Sequence, residues 1–352
     1  MADPNDKAAL ATKRLEIDRE ILALVVKRAR LSLAWAKEHP ADPTLPSSEL
    51  SSLRALTEAA PAEVVPKGSL TRLFRELHAL CRGLEAPARV AYLGAPGAHG
   101  HVAARRQFGP MAALQRHETV ADAVKAVTSG SADFAVLPYE SPTQGPVHQT
   151  LLTLMRTDLR VVAVNEVSAP LCLLSSSGRL DGIAKVFLTP RDRAALGARL
   201  GEIAPRAEVL DVDSPDAACV AAASDPRASA VALEPTGEDH DLVTVERFSP
   251  DGTRARYCVA TTRPGSRTGA DTTCLLFSVS DEPGSLFEVL KVLTKHSVNM
   301  RRIHSWSGAG EGFELLFFVE LEGHLTDRPI VSAVEEMKPS CKLLKALGTY
   351  PV

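Results

Sequence analysis

Between residues 7 and 39 apolar side chains return every three or four positions, at Leu10, Ile17, Ile21, Leu24, Val25, Leu31 and Trp35, with Arg28 interrupting the stripe. That spacing predicts one long helix ending before Pro40, because a period of 3.6 places such positions on one side of the cylinder. Pro40 to Pro46 predicts a break. Ser47 or Ser48 is placed to cap a short second helix to about Ala60, and Ser69 a third running to Leu84. Three helices with no strand cannot easily bury the long stripe, so a helical dimer or packing on the next segment is expected.

At Arg89 the pattern changes. Val90 to Leu93 reads as a short apolar strand entering Gly94-Ala95-Pro96-Gly97, followed by a helix over Val102 to Phe108. The alternation continues with helix Val120 to Ser129, strand Phe134 to Leu137, a Pro/Gly-rich loop Pro138 to Pro146, helix Val147 to Met155 and strand Leu159 to Val164. A second unit follows: strands at Cys172 to Leu174, Val186 to Leu188, Val209 to Val212, Ala230 to Leu233 and Arg256 to Ala260, with helices after Pro190 and from about Pro215 to Ala223. Strands alternating with helices predict α/β layers, here two lobes with a cleft between them where strand ends and loops converge. Arg263 to Gly269 reads as a linker. Beyond it strand Thr273 to Val279, helix Leu286 to Leu293, strands Asn299 to Ser305 and Glu314 to Glu320, helix Pro329 to Met337 and strand Leu343 to Gly348 give the βαββαβ order of a ferredoxin-like fold.

Composition narrows the partners. The chain has 352 residues, enough for two or three domains, with 40 Lys and Arg against 43 Asp and Glu, a formal charge of -3. No bulk positive field favours nucleic acid or an anionic membrane, so a small-molecule substrate or effector, or another protein, is the expected partner. No stretch approaches the roughly 20 apolar residues of a membrane span, and the start MADPNDKAAL has no apolar leader, so a cytoplasmic location is expected. The six cysteines lack metal-ligand spacing, so no metal or other cofactor is expected and the thiols read as buried and reduced.

The ordered motifs resemble the bifunctional chorismate mutase/prephenate dehydratase family. Leu15-Glu-Ile-Asp-Arg-Glu-Ile-Leu-Ala-Leu-Val-Val-Lys-Arg28 is similar to the first helix of the all-helical mutases. Tyr92-Leu-Gly-Ala-Pro-Gly with His101, Asp133-Phe-Ala-Val-Leu-Pro-Tyr-Glu140, and Arg256-Tyr257 resemble the dehydratase. Asp281-Glu-Pro-Gly-Ser-Leu-Phe-Glu-Val-Leu, Asn299 and Leu347-Gly-Thr-Tyr-Pro resemble an ACT domain. The resemblance implies a multidomain chain: an all-α helical segment over 1–87, a two-lobed α/β, periplasmic-binding-protein-like dehydratase domain over 88–262, and an α+β ferredoxin-like ACT regulatory domain over 272–352. It implies conversion of prephenate to phenylpyruvate, CO2 and water, and a homodimer or homotetramer.

Such chemistry needs cations or amides on two carboxylates and a proton for the departing hydroxyl. The resemblance places catalytic roles on Arg256, Glu140 and His101, with Thr253 as a substitute hydroxyl, and substrate binding on Thr143, Gly145, Ser214 and Arg28. It places effector binding on Gly284, Ser285, Leu286, Asn299, His304 and Ser305. The chain also departs from the family. Ala255 stands where the family's Thr-Arg-Phe motif has its threonine, and Thr253 reaches the same strand face only if the register shifts. Ala98 and Gly100 replace hydroxyl-bearing residues, the Asn-Thr pair after Glu140 is lost, Leu171 replaces a histidine and Pro235 a serine. In the helical segment Ala11 and His39 stand where the mutases have cations. His304-Ser305-Trp306-Ser307 replaces the Glu-Ser-Arg-Pro element of the phenylalanine site.

Three functions remain open: a dehydratase with an altered site, a catalytically weak or dead metabolite-binding or regulatory homo-oligomer, and a non-aromatising prephenate decarboxylase. Each site residue also has a structural reading: Arg256 pairing with a carboxylate, Glu140 holding its own loop, His101 packing at its helix, and His148 standing in solvent.

Overall fold

The computed structural model describes residues 4–38, 50–58, 61, 63–142, 145–168, 170–248, 254–307 and 315–352. The chain divides into two compact units, one made of residues 1–44, 51–88 and 108–113 and the other of the rest.

In the first unit α1 (Pro4–Glu38), α2 (Leu50–Glu58) and α3 (Lys67–Glu85) are the expected helices, and α1 packs on α3. Ser32 is buried between them and donates a 2.6 Å hydrogen bond to Glu85. Ser69 does not cap α3, which starts two residues earlier behind Pro66 and has no side-chain cap; the Ser47 and Ser48 caps fall outside the described residues. Leu15, Ile17, Ile21, Leu24, Leu31 and Trp35 of α1 all remain at least half exposed. The described residues of a single chain therefore leave most of the predicted stripe exposed.

The second unit begins with β1 (Arg89–Leu93), α4 (His99–Phe108), β2 (Ala113–His117), α5 (Val120–Thr128), β3 (Phe134–Ser141), β4 (Gly145–Pro146), α6 (His148–Met155) and β5 (Arg160–Ser168). The second lobe holds β6 (Leu171–Ser175), β7 (Lys185–Leu188), α7 (Pro190–Ile203), β8 (Glu208–Asp211), α8 (Pro215–Ala223), β9 (Ala228–Leu233), α9 (Glu234–Glu238) and β10 (Val243–Arg247). The chain returns to the first lobe as β11 (Arg254–Thr261). It ends in the ACT-like segment: β12 (Asp271–Ser278), α10 (Ser285–Lys295), β13 (Met300–Ser307), β14 (Leu315–Glu322), α11 (Arg328–Met337) and β15 (Leu343–Pro351).

Two sheets result, a multidomain α+β architecture. The second lobe's sheet has the order β10-β6-β9-β7-β8, parallel among β7, β8 and β9 and antiparallel at β6 and β10. The first lobe and the ACT-like segment share one sheet, β13-β14-β12-β15-β5-β11-β3-β1-β2, with β4 turned back on β3. Separate sheets follow from the sequence pattern alone; the structure joins them where Gly348 of β15 pairs with Val161 of β5. Gly348 has φ 152°, and a Cβ there would lie 2.2 Å from the Val161 carbonyl oxygen, so the approach requires glycine.

One hydrophobic core spans the seam, with Leu137, Tyr139, Val161 and Cys258 of the lobe meeting Leu276 and Phe318 of the ACT-like sheet. The other face of that sheet is covered by α10 and α11 through Leu275, Phe277, Val289 and Ile330. All eight residues of β12 are consequently buried, which explains a sequence without polar alternation.

Several elements differ from the sequence expectation, among them the unforeseen short helix α9. Pro138 to Pro146 is not a simple loop, because β3 runs on to Ser141 and Ser141 pairs with Gly145. The strands β2 and β10, at sheet ends, were not legible, since Ala-Leu-Gln-Arg-His and Val-Thr-Val-Glu-Arg are only half buried. The α4 helix starts three residues earlier than the apolar pattern suggests. The six cysteines are unpaired and five are buried, as expected.

Candidate functional site

The strand carrying the Ala255-Arg256-Tyr257 motif runs in the middle of the joined sheet, between β5 and β3. Its register against β5 is regular from Arg254 to Val259, so successive side chains alternate between faces. Arg256 points to the ACT-like segment, Ala255 and Tyr257 to the opposite face.

On the first face Arg256 meets four acceptor contacts. Its guanidinium donates to Glu140 at 2.8 Å, to the two oxygens of Glu320 at 3.0 and 3.4 Å, and to the Tyr350 hydroxyl at 2.9 Å. Tyr350 in turn donates to Glu320 at 2.8 Å. Arg302 from β13 closes the network, donating to both Glu140 oxygens at 2.8 and 2.6 Å and lying 3.2 Å from Glu320. Two arginines thus face two carboxylates, with Glu320 only 3% exposed and Arg256 12%. Burial alone would lower the Arg256 pKa, but the surrounding Tyr350, Glu320 and Glu140 raise it. For Glu140, burial pushes the carboxyl up, while the Arg256 hydrogen bond and both arginine charges outweigh it and hold the group below its ordinary value. Arg256 also lies over the Tyr139 ring, 5.4 Å from its centroid, and Tyr139 meets Phe318 edge-on at 5.6 Å.

A second contact across the seam joins His148, at the start of α6, to Trp306. The rings stack at 4.4 Å and 9°, so His148, exposed as expected, also has a ring partner. Burial and, after it, the charge of His304 lower the His148 pKa. His304 itself approaches Gly145, within 3.8 Å of where a Cβ would sit.

The glycine turn after β1 forms the junction with the second lobe. Thr236 donates to the Gly97 carbonyl at 2.8 Å, and the Asp216 N–H of α8 donates to Pro96 at 3.3 Å. Gly97 has φ 78°, and a Cβ there would lie 2.6 Å from the Asp216 nitrogen, so only glycine lets the two backbones meet. The Gly97 N–H donates to His101 Nδ1 at 3.1 Å, leaving the proton of a neutral ring on Nε2. Burial and the Arg105 charge lower the His101 pKa, and Tyr92 packs against the ring at 5.3 Å. Ser214 caps α8, accepting the Ala217 N–H at 3.1 Å.

On the second face of β11, Tyr257 stands opposite Asn165 of β5 and Pro138 of β3. Burial pushes its hydroxyl up to about 12, against the pull of Arg191 from the first turn of α7 in the other lobe. The hydroxyl makes no hydrogen bond among the described residues, and Arg191 is exposed with no ion pair among them. The Asn165 amide nitrogen is sealed from solvent and has no acceptor among the described residues. Neither Asn165 nor Arg191 carried a sequence signal; Tyr257 was read only as the neighbour of Arg256.

The structure therefore brings Glu140 and Arg256 together, and sets His304 beside Gly145. His101 and Ser214 belong to the lobe junction instead. Thr253 and Thr143 lie outside the described residues, and Arg28 lies on α1. In the ACT-like segment Gly284 adopts φ 92° ahead of α10, Ser285 opens that helix and Leu286 packs on its core. Asn299 bonds Glu322 at 3.0 Å at the start of β13. Ser305 lies near the other end of β13, about 20 Å away at a strand rise of about 3.3 Å per residue. Asn299 and Ser305 therefore do not converge. Among the described residues no group of three or more His, Cys, Asp or Glu side chains is placed to hold a metal ion, and no helix is long and apolar enough to cross a membrane.

Comparison with known proteins agrees with this organisation. Residues 90–259 match the prephenate dehydratase family and residues 274–338 the ACT domain. The bifunctional chorismate mutase/prephenate dehydratase of Aquifex aeolicus is 32% identical over 343 residues, covering 95% of both chains. Among solved structures, GqqA, described as a novel type of quorum quenching acylase, is 26% identical with a TM-score of 0.58, covering 75% of this chain and 97% of its own. The prephenate dehydratase of Arthrobacter aurescens in complex with L-Phe is 24% identical with a TM-score of 0.58, covering 75% and 90%, a likeness of fold. With similarity running through helical, dehydratase and ACT segments in one order, the chain belongs to the bifunctional chorismate mutase/prephenate dehydratase family.

Proposed function

We propose that this protein converts prephenate to phenylpyruvate, CO2 and water for phenylalanine biosynthesis, using the two lobes as a periplasmic-binding-protein-like clamp. The observation that carries this reading is the match to a bifunctional relative over 95% of both chains. The reaction needs no resident metal or organic cofactor, only cations for the carboxylates, a proton for the hydroxyl and exclusion of water.

In this reading Arg256 and Glu140 act by position. The Arg256 guanidinium is engaged by Glu140, Glu320 and Tyr350, so the residue brings the motif strand and the ACT-like segment into one body. His101 acts on the Gly97 turn in the same sense. The ACT-like segment is a brace as much as a sensor, with Trp306 spent on His148. For the helical unit we assign a dimerising scaffold rather than a mutase site, because the exposed apolar side chains on α1 are what a second copy would cover.

A specific observation favours one competing reading, a metabolite-binding oligomer without turnover: the motif's hydroxyl is absent at Ala255 and its arginine is occupied. Incubating purified protein with prephenate, with the product identified by ultraviolet absorption and mass, separates the readings. Phenylpyruvate above the uncatalysed rate is expected. No loss of prephenate would leave the binding oligomer, and a non-aromatic, decarboxylated product would point to a decarboxylase.

A further inference from the structure

The first face of β11 is saturated with partners, whereas the second presents polar groups that the protein leaves unmatched. Tyr257 is two residues along from Ala255 on that face, with a hydroxyl lacking a partner among the described residues. Directly across the ladder lies Asn165, whose buried amide nitrogen has no acceptor among the described residues. A buried donor left unmatched costs about 1–3 kcal/mol, so such a group is retained where something else satisfies it. Arg191 approaches from the other lobe, exposed and without an ion pair among the described residues. An unpaired guanidinium and two hydrogen-bonding side chains, gathered at a lobe junction, suit a small carboxylate bearing a hydroxyl.

We infer that Tyr257, with Arg191 and Asn165, forms the reacting end of the substrate site: the Tyr257 phenol protonates the departing ring hydroxyl, and Arg191 holds a substrate carboxylate. Asn165 is a positioning residue beside the phenol. This inference rests on the dehydratase reading above. In the step, the bond from the ring to its carboxylate breaks and releases CO2. The electron pair enters the ring as it becomes aromatic, and the C–O bond breaks with its pair on oxygen. The Tyr257 proton completes water, and the phenolate recovers a proton from solvent, so one proton is consumed per prephenate. A phenol pushed up to about 12 stays protonated through neutral pH. It remains a stronger acid than water, so transfer to a departing hydroxide runs downhill. Arg191 is placed to steady the phenolate while it lasts.

The test is steady-state turnover of prephenate by the full-length chain. Tyr257→Phe should lower kcat by about 10²–10⁴-fold, the usual range for losing a general acid, with KM little changed. Arg191→Ala should act mainly on KM, raising it about tenfold or more, with Arg191→Lys intermediate. Adding Ala255→Thr to Tyr257→Phe should restore part of kcat, because residue 255 shares the face. Thermal melting of Tyr257→Phe should match wild type, since the lost hydroxyl bonds nothing among the described residues. If that variant melts early, 3,5-difluorotyrosine at position 257 supplies the second reading: its more acidic phenol should draw an alkaline fall in kcat toward neutral pH. Active wild type with an unimpaired Tyr257→Phe variant, or an unmoved alkaline limb, overturns the assignment and leaves the dehydratase reading standing. Inactive wild type overturns both.

Discussion

The two faces of β11 use their polar groups in opposite ways. Toward the ACT-like segment, Arg256 is held by Glu140, Glu320 and Tyr350, and each carboxylate is shared with Arg302. Toward the second lobe, Tyr257, Asn165 and Arg191 lie together without satisfying one another. A network whose members are matched specifies how two segments join. Unmatched donors mark a place where a ligand completes the set. The difference teaches that, within one three-residue motif, the charged residue serves architecture and its aromatic neighbour serves chemistry.

Removing one member of the matched network should have the largest effect on stability. Arg256→Ala leaves the buried Glu320 carboxylate beside Glu140 with Arg302 as their shared cation and the Tyr350 hydroxyl on Glu320, and should cost about 3–5 kcal/mol. A urea titration reads this most cleanly in a Trp35→Phe background, where Trp306, the remaining tryptophan, reports from the seam. A loss of unfolding free energy below about 1 kcal/mol would show the network to be ornamental. Next comes Gly97→Ala, which imposes a side chain at φ 78° and on the Asp216 nitrogen; about 1–3 kcal/mol should be lost, with turnover falling as the lobes separate.

The fold was largely readable in advance wherever the signal was local. Helix α8 was placed at Pro215 to Ala223 because proline at the first helical position and an alanine-rich run need no tertiary help. The βαββαβ order likewise came from periodicity. What escaped was long-range. Glu320 and Tyr350 lie 64 and 94 residues from Arg256, and nothing in their own neighbourhoods announces the partnership. The same holds for Arg191, legible only as a residue of a helix start. Tyr257 was within reach: period-two alternation puts it on the same face as Ala255, and its hydroxyl replaces one that the motif lacks.

A smaller effect, at the seam and at the lobe junction, depends on pH. His148 and His101 both have lowered pKa values, so the unfolded chain takes up protons first as pH falls. Their contribution is present above about 6.5 and is lost below it. The unfolding free energy read from urea titrations should be lower at pH 5.5 than at pH 7.5, with most of the difference from half-buried His101 because the exposed His148 is screened by solvent, and His101→Gln should shrink it. Glu140, held low, acts only when pH falls below its ordinary carboxylate range, so it does not contribute in this window. The smallest effect expected is Trp306→Leu, which removes the stack on His148 and should cost about 0.5–1.5 kcal/mol.

The division between the faces is tested most directly by measuring prephenate turnover and the urea midpoint together for Tyr257→Phe and Glu320→Gln. The account predicts that Tyr257→Phe melts like wild type and loses turnover, while Glu320→Gln melts earlier and, below its midpoint, retains turnover. The reverse pattern, with activity following Glu320 and stability following the Tyr257 hydroxyl, would contradict it.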